Sequence, residues 1–500
     1  MIGSVLIANR GEIAVRIARG ARECGIRSIA VYSEPDRLAP HVLAADEAYC
    51  IGPAPSAESY LRADELIRVA KETGAEAIHP GYGFLSERAD FARAVEDAGL
   101  IFVGPTADTI ASMGDKTEAR RRMRAAGVPI VPGLTEALSD PAEAEKAAAE
   151  IGYPVLLKAS AGGGGKGMRV VEEPSDLARA FEAASREATA AFGDGSVYLE
   201  RYLGHPRHVE IQVLGDTHGN VVHLAERECS VQRRHQKLIE EAPSPVLTEE
   251  ERAAMGEMAV RAAQAVDYRG AGTVECLYQD GEFFFLEMNT RLQVEHPVTE
   301  LVTGIDLVEW QFRVASGEAL SFGQDDIRLD GHSIECRVTS EDPFGGFLPS
   351  TGTIRHLAVP TGPGVRWDGG IVHDGEVTLH YDPLLAKLIV HAADRPTAIA
   401  RMKRALDELV LVGVDTCVPF HRRVMDEPDF CAGRLTIRYV DEHPELLERS
   451  VPEDDILAAA VAAALLEDGH RRSRAPRTGG RTDTALPAWR ATGWPWNVVR

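Results

Sequence analysis

The stretch Glu287-Met288-Asn289-Thr290-Arg291-Leu292-Gln293-Val294-Glu295-His296-Pro297 brings carboxylate, amide and guanidinium side chains close together in the chain. It begins where an apolar run, Phe283-Phe284-Phe285-Leu286, ends, and such a run is typical of a β-strand. Side chains alternate between the two faces of a strand, so Glu287 and Asn289 share one face. The stretch therefore predicts a strand whose end carries polar side chains on one side.

A second strand-like segment precedes this stretch and carries Glu275. Between the two segments, Asp280-Gly281 is a strong signal for a β-hairpin. A three-residue loop, 280–282, would place Glu275 on the same face as Glu287 and Asn289. Oxygen ligands of this kind suit Mg²⁺, which completes its shell with water and phosphate. The pattern predicts a magnesium site, and the alternative is a surface hairpin with solvated acids.

Four consecutive glycines occur in the segment 160–167, between strand-like segments 153–158 and 168–171. Glycines let backbone N–H groups approach an anion closely, because there is no Cβ in the way. A glycine, not Ser or Thr, follows the lysine of this segment, and a strand follows it rather than a helix, so it is not a Walker P-loop. We predict a mobile hairpin lid over phosphates. A flexible linker is the alternative, but it explains poorly why lysines flank the glycines.

Together these features resemble the ATP-grasp enzymes, and within them most closely the biotin carboxylases, the ATP-dependent components of acyl-CoA, pyruvate and related carboxylases. The resemblance covers roughly residues 2 to 445. It rests on separate motifs at Ile7–Ala14, His79–Glu87, Lys158–Arg169, Arg207–Gln212, Arg234–Lys237, Arg291–Glu300 and Tyr381–Lys387.

Composition is compatible with this resemblance. A chain of 500 residues is long enough for about three domains. The net charge of −23 argues against nonspecific binding to nucleic acid. Seven scattered cysteines without a C-x-x-C pair suit thiols in a reducing cytoplasm better than disulfides or a zinc site. We see no secretion signal and no membrane-spanning apolar run, so we expect a cytoplasmic protein.

Strands and helices alternate from the start of the chain. Strands are expected at 5–8, 29–32, 77–79 and 101–103, and helices at 11–24 and 63–73. With the resemblance, this predicts an α/β ATP-grasp fold with a doubly wound N-terminal (pre-ATP-grasp) domain, a mobile glycine-rich lid and a C-terminal biotin carboxylase domain. The expected divisions are 1–114, 115–322 with a lid at about 131–203, a connector at 323–331, 332–445, and a tail at 446–500.

The tail departs from a minimal biotin carboxylase. An alanine-rich helix is expected at 452–467 and a linker at 471–481. A docking patch or the start of another domain is favoured by three late tryptophans, with a disordered end as the alternative: Trp489, Trp494 and Trp496. No biotin attachment motif is present, and the single Met-Lys pair, Met402-Lys403, lies in a helix-like run at 398–409. Biotin is therefore expected on a separate carrier.

The resemblance implies a reaction in which ATP activates bicarbonate as carboxyphosphate and the carboxyl group passes to a ureido nitrogen of biotin. This is the first half-reaction of an acyl-CoA carboxylase, as in fatty acid biosynthesis. Glu295 matches the general base, Arg291 the residue that binds bicarbonate and carboxyphosphate, and Arg337 the residue that steadies the biotin enolate. The implied catalytic and bicarbonate or biotin residues are Lys237, Arg291, Gln293, Val294, Glu295, Arg337 and Tyr82.

The resemblance also implies an ATP site and its cofactors. The ATP-binding residues are Lys116, Lys158, Gly164, Gly165, Lys166, Glu200, Arg201, Tyr202, Leu203, His208, Gln232, His235, Leu277, Glu275 and Glu287. Many relatives have Lys in place of Arg201, which leaves its side-chain role open. Mg²⁺, or Mn²⁺ in its place, would be held by Glu275, Glu287 and Asn289. Expected partners are a biotin carboxyl carrier protein or domain, a second copy of the chain in a homodimer, and the carboxyltransferase subunit, without nucleic acid or membrane.

Several alternatives remain open on the sequence alone. The chain could be another ATP-grasp ligase, such as a carbamoyl-phosphate or purine-pathway enzyme, a non-catalytic scaffold, or a piece of a longer biotinylated polypeptide. The histidines could be structural, and Lys237 and Arg337 could be scaffold ion pairs. The acyl acceptor is not identified, because that choice belongs to the carboxyltransferase.

Overall fold

The computed structural model describes residues 1–134, 138, 140–159, 168–192, 195–449 and 457–466. Residues Met1–Leu447 form one compact unit and Glu448–Arg500 a second.

A five-stranded parallel sheet forms the N-terminal region. Its strands and helices are β1 (Ser4–Ile7), α1 (Gly11–Glu23), β2 (Arg27–Ser33), α2 (Pro40–Ala44), β3 (Glu47–Gly52), α3 (Ala63–Thr73), β4 (Ala77–His79), α4 (Ala89–Asp97), β5 (Ile101–Phe102) and α5 (Ala107–Gly114). The strand order is β3-β2-β1-β4-β5, and all ladders are parallel.

Alternating side chains of β1 explain why helices cover both faces of this sheet. Val5 and Ile7 pack in one buried cluster with α1, and Leu6 packs in a second cluster with α3 and α4. The predicted doubly wound domain is confirmed, and its expected elements agree with the observed ones to within two residues. Strand β3 was not predicted, because it lies at the sheet edge and is half exposed.

A small antiparallel sheet with two helices follows. Its elements, after α6 (Lys116–Ala125), are α7 (Pro141–Ile151), β6 (Val155–Ala159), β7 (Arg169–Val171), α8 (Leu177–Phe192) and β8 (Val197–Arg201). Strand β6 pairs antiparallel with β7 and with β8, so the two predicted stems of the glycine hairpin are confirmed. The loop at 160–167 lies outside the described residues.

The rest of the compact unit contains one eight-stranded antiparallel sheet, three two-stranded sheets and the helices that pack on them. From one edge of the eight-stranded sheet to the other, its strands span residues 282–289, 270–279, 207–215, 221–233, 236–242, 332–339, 384–392 and 365–369. The elements of this region are β9 (Arg207–Gly215), β10 (Val221–Arg233), β11 (Gln236–Ala242), α9 (Glu249–Gln264), β12 (Gly270–Gln279), β13 (Glu282–Asn289), α10 (His296–Thr303), α11 (Leu307–Ala315), β14 (His332–Thr339), β15 (Glu341–Asp342), β16 (Leu348–Pro349), β17 (Gly352–Thr353), β18 (His356–Ala358), β19 (Val365–Gly369), β20 (Glu376–Val377), β21 (Leu384–Ala392), α12 (Arg395–Glu408), β22 (Val410–Val412), α13 (Val418–Val424), α14 (Pro428–Cys431) and α15 (Tyr439–Glu442).

The pairing of β11 with β14 joins the ATP-grasp strands to the C-terminal strands in one sheet. The sequence did not indicate this continuity, because a ladder between distant segments leaves no local pattern. The helix around Met402 is confirmed as α12, and Met402 is fully buried.

The second unit contains a described helix, α16 (457–466), within the predicted tail helix. The remainder of that prediction, the linker and the three late tryptophans lie outside the described residues. Among the helices that the structure describes, none is long and apolar enough to cross a membrane.

The β12–β13 hairpin corrects one expectation. Gln279 pairs with Glu282, so the turn contains two residues, and the predicted three-residue loop is wrong. Asp280 and Gly281 have φ angles of 51° and 81°, the backbone conformation of a tight Asp-Gly hairpin turn. Alignment of the two acids comes instead from a β-bulge: Cys276 pairs with Phe285 and Glu275 with Glu287, so Leu286 is the extra residue.

Candidate active site

A cavity of 1630 Å³ lies among the N-terminal sheet, strands β6 and β8, and the large sheet. Every predicted site residue that the structure describes lines it: Tyr82, Lys116, Lys158, Glu200, Arg201, Tyr202, Leu203, His208, Gln232, His235, Lys237, Glu275, Leu277, Glu287, Asn289, Arg291, Gln293, Val294, Glu295 and Arg337. Gly164, Gly165 and Lys166 lie outside the described residues.

Lys237 on β11 lies at the centre of a group of three carboxylates. Its Nζ is 2.5 Å from Glu210 Oε2, 2.6 Å from Glu295 Oε1 and 3.0 Å from Glu275 Oε1. Burial lowers the pKa of Lys237, but the three carboxylates outweigh burial and raise it well above its usual value. The lysine is therefore a fixed positive charge that holds acids from three different elements together. Lys237 lines the cavity, and its catalytic role stays a prediction.

Glu210 was not predicted, although it lies in a motif that the sequence had singled out. His208, Glu210 and Gln212 occupy every second position of β9, so their side chains lie on the same face of the strand. All three side chains are buried. The alternation of polar residues in a strand buried on both sides was the signal that could have found Glu210.

Glu295 is held by two cations at once. Besides the bond from Lys237, its Oε2 accepts from Arg337 Nη2 at 2.9 Å, while Arg337 Nε donates to Glu240 Oε1 at 2.5 Å. Burial raises the pKa of Glu295, but Lys237 and Arg337 outweigh burial, so its pKa lies below the usual value. Glu295 is therefore ionised at neutral pH, and a carboxylate in that state can accept a proton.

Arg227 on β10 is fully buried and supports this group from behind. Its guanidinium donates to Glu210 Oε1 at 2.6 Å and to Gln293 Oε1 at 2.8 Å. It also donates to the side chains of Gln212, Thr273 and Thr299. A planar guanidinium can hold several acceptors in fixed directions, so Arg227 sets the orientation of Glu210 and Gln293. The sequence did not single it out.

We expect Arg227→Leu to lower the free energy of unfolding by about 3–5 kcal/mol, because it leaves one oxygen of the buried Glu210 and the side-chain oxygen of Gln293 without their donor. Urea denaturation followed by fluorescence measures this. The control is Arg404→Leu, which removes an exposed i,i+4 pair with Glu408 and should leave the midpoint unchanged. Equal midpoints for the two variants would contradict the supporting role of Arg227.

Arg291 is oriented by two side chains. Its Nε donates to Glu87 Oε2 at 2.9 Å, and its Nη2 donates to Asn289 Oδ1 at 2.9 Å. Asn289 Nδ2 in turn donates to Glu275 Oε1 at 2.8 Å. Glu87 belongs to the His79–Glu87 motif, in which the sequence assigned a role only to Tyr82. The chain of bonds fixes the guanidinium between the N-terminal domain and the predicted metal acids.

The predicted metal ligands lie on one face of the β12–β13 hairpin. Burial raises the pKa of Glu275, but Lys237 and His208 outweigh burial and lower it to about 2. Burial, with the adjacent charge of Glu275, raises the pKa of Glu287. A divalent cation would relieve this repulsion, and Asn289 Oδ1 has a second lone pair besides the one that Arg291 uses. The donor set therefore fits Mg²⁺.

Two lining cations meet Glu200 on β8. Lys158 Nζ is 2.5 Å from Glu200 Oε2, and Arg120, which was not predicted, pairs with the other oxygen. Glu200 is almost completely buried, so it holds both cations at the cavity wall. A phosphate group entering here would compete with Glu200 for Lys158.

The side chain of Arg201, whose role the sequence left open, points to the β12–β13 hairpin. Its guanidinium lies over the Phe284 ring at 5.0 Å and pairs with Glu282 at 2.8 Å. Nearby, Val131, Leu203 and Phe284 form a buried apolar cluster against which Leu277 packs. Val131, Leu203 and Leu277 line the cavity, so this cluster gives it an apolar wall, which suits a purine ring.

His208, His235 and Val294 are also predicted site residues, and each has a different local environment. His208 Nε2 lies 3.3 Å from Glu275 Oε2, and its pKa is raised: burial lowers it, but Glu275 outweighs burial. His235 occupies the β10–β11 turn with a φ of 67°. The carbonyl of Val294 accepts from the buried Lys387 at 2.8 Å, which fixes that backbone segment.

Three family models match most of the chain. Residues 1–110 and 335–442 match the family models "Biotin carboxylase, N-terminal domain" and "Biotin carboxylase C-terminal domain". Residues 115–322 match "Carbamoyl-phosphate synthase L chain, ATP binding domain". The chain is 53% identical over 443 residues to the biotin carboxylase of Haemophilus influenzae, covering 88% of this chain and 99% of that protein. The chain belongs to the biotin carboxylase family.

Other similar proteins are subunits or domains of pyruvate carboxylase and 2-oxoglutarate carboxylase. A pyruvate carboxylase subunit of Methanothermobacter thermautotrophicus is 54% identical over 444 residues, 89% of this chain and 90% of that protein. The biotin carboxylase domain dimer of Hydrogenobacter thermophilus 2-oxoglutarate carboxylase, solved with MgADP, ADP and bicarbonate, is 50% identical with a TM-score of 0.83. The match covers 90% of this chain and 100% of the Hydrogenobacter chain. The N- and C-terminal matches favour biotin carboxylase over the other ATP-grasp ligases.

Proposed function

We propose that this cavity uses ATP to activate bicarbonate and carboxylates biotin presented by a separate carrier. The observation that carries the proposal is the convergence on Glu295 of Lys237 and Arg337, with Glu275 of the metal acids bound to the same lysine. A base, a group of cations and a metal-binding pair then share one cavity. That combination suits phosphoryl transfer to a small anion.

The residues divide the first step between them. Arg291, Gln293 and the backbone of Val294 bind bicarbonate, and the planar guanidinium matches its planar anion. Glu295 takes the bicarbonate proton while the bicarbonate oxygen attacks the γ-phosphorus of ATP and ADP leaves. Lys116, Lys158 and Lys237 supply positive charge to the phosphates. The product, carboxyphosphate, then breaks down to CO₂ and phosphate.

The second step takes place beside Arg337 and Tyr82. The phosphate released takes the ureido proton of biotin, and the nitrogen attacks CO₂ to form the new C–N bond. Arg337 donates to the enolate oxygen that develops on biotin, as a preorganised cation. Its bonds to Glu240 and Glu295 hold it in place before biotin arrives.

Glu275, Glu287 and Asn289 would hold Mg²⁺, which when bound supplies positive charge that draws electrons from the phosphates. We expect Glu287→Gln to raise the Mg²⁺ concentration for half-maximal activity by about tenfold or more, because one ligand charge is lost. ADP formation at varied Mg²⁺ measures this. Glu282→Gln, an exposed change on the same strand, is the control. An unchanged Mg²⁺ requirement with lowered kcat would remove Glu287 from the metal site.

The wider assignments are part of the same proposal. The partners are a biotin carboxyl carrier, a carboxyltransferase that selects an acyl-CoA, and a second copy of the chain, supported by the dimer of the Hydrogenobacter domain. The proposed domain divisions remain 1–114, 115–322, 332–445 and 446–500.

The decisive experiment measures the release of ADP from ATP and bicarbonate, with and without free biotin. Biotin stimulation supports the proposal, and stimulation only by another acceptor contradicts it.

A further inference from the structure

The carbonyl of Arg337 lies where one side of its β-ladder ends. Strand β14 pairs with β11 up to Ile239–Cys336, and its pairing with β21 shifts register between Val338 and Thr339. The backbone that carries the Arg337 guanidinium therefore lies at an irregular point of the sheet. A catalytic arginine needs a fixed backbone, because small displacements of a preorganised charge reduce its effect.

Two side chains from α13 and its N-terminal cap replace the missing ladder partner. His421 Nε2 lies 2.7 Å from Arg337 O, and Cys417 Sγ lies 3.0 Å from the same oxygen. Cys417 Sγ also accepts from Thr339 N at 3.1 Å, and Cys417 N donates to Thr339 O at 3.2 Å. Both side chains are completely buried. Arg337 and Thr339 are thus tied to one helix terminus.

The protonation of both groups agrees with donation to the carbonyl. Burial lowers the pKa of His421 to about 4, so the imidazole is neutral at pH 7 and carries one N–H. Its Nδ1 is buried without a hydrogen-bond partner among the described residues, which assigns that N–H to Nε2. Burial raises the pKa of Cys417 to about 11, so the thiol keeps its proton.

We propose that Cys417 and His421 are positioning residues for Arg337, which they hold by its backbone for the biotin half of the reaction. The inference rests on the proposed function of Arg337. Neither side chain lines the cavity, so neither touches a substrate. A positioning role predicts a change in the use of biotin without a change in the use of ATP. A merely structural role predicts lower stability and no such split.

The test compares His421→Leu with the conservative His421→Gln, whose amide can still donate to the carbonyl. His421→Leu should raise the KM for free biotin by about tenfold, because it leaves the carbonyl with only the weaker thiol donor of Cys417. The KM for ATP and the biotin-independent, bicarbonate-dependent release of ADP should stay at their original values. His421→Gln should restore the KM for biotin.

A matched control is His41→Leu. His41 is also buried, with its pKa lowered by burial to about 4, and its Nε2 contacts a strand carbonyl, that of Val31. This substitution should lower thermal stability without changing the ratio of the two KM values. Cys417→Ala provides a second variant if His421→Leu does not fold, and it should raise the KM for biotin several-fold.

The outcomes are separable. Absence of biotin stimulation in the unaltered protein overturns the proposed function, and the inference with it. If biotin stimulates the unaltered protein but the KM for biotin is unchanged in His421→Leu and Cys417→Ala, only the positioning role is overturned. Equal impairment of biotin and ATP use in either variant, or failure of His421→Gln to restore the KM for biotin, also overturns it.

Discussion

Replacing Glu295 with alanine is expected to abolish bicarbonate-dependent ATP cleavage while leaving nucleotide binding intact. Loss of a general base typically reduces a rate by about 10²–10⁴-fold. Lys237 keeps Glu210 and Glu275 as partners after the substitution, so the phosphate side of the cavity keeps its arrangement. ADP release in the presence of free biotin gives the rate, and a fluorescent nucleotide analogue reports binding.

Two further variants distinguish the basicity of the Glu295 side chain from its contribution to packing. Glu295→Gln keeps the size of the side chain but removes its basicity, so it should be as inactive as the alanine variant. Glu226→Gln changes another buried acid, which pairs with Arg252, and should retain activity. Turnover retained in either Glu295 variant would assign the base role to another group.

Replacing Arg337 with alanine should impair carboxylation of biotin by about 10²–10³-fold, with little change in ATP binding. Arg337 contacts Glu240 and Glu295, and Lys237 still holds Glu295 when the arginine is absent. The loss should therefore fall on the step in which charge develops on biotin. Rates of ADP release with and without biotin, and direct nucleotide binding, measure the two effects separately.

Arg337→Lys is the matched variant. It keeps the positive charge but loses the planar fork that reaches Glu240 and Glu295 together, so only partial activity should return. A decrease of nucleotide binding equal to the decrease of biotin carboxylation would indicate misfolding of the site. In that case Arg337 would have no specific role toward biotin.

Sequence patterns predicted the local elements of this protein well. Helix α1 lies within the predicted range 11–24 and buries Ile13, Ile17 and Ala21, which are four residues apart, on one face; the stems of the glycine hairpin pair as expected. Such features depend on neighbours in the chain, so periodicity and turn residues are enough to specify them. The family motifs likewise identified many of the side chains that line the cavity, although not Arg120.

The hairpin shows where local reasoning stopped. Asp280-Gly281 predicted the turn, but the loop length was wrong, and alignment of Glu275 with Glu287 depends on the bulge at Leu286. A bulge is decided by the packing of both strands in the sheet, and no residue pattern in the hairpin specified it.

By itself, the sequence determined the types of element, the chemical groups available and the family to which their motifs belong. Only the tertiary structure decided which of those groups meet. Lys237 and Glu295 are 58 residues apart, and Arg337 and His421 are 84 apart, yet each pair is in contact. Contacts between distant segments depend on the pairing of whole strands and helices, so Glu210, Arg227, Cys417 and His421 gained a role only when the sheet was assembled.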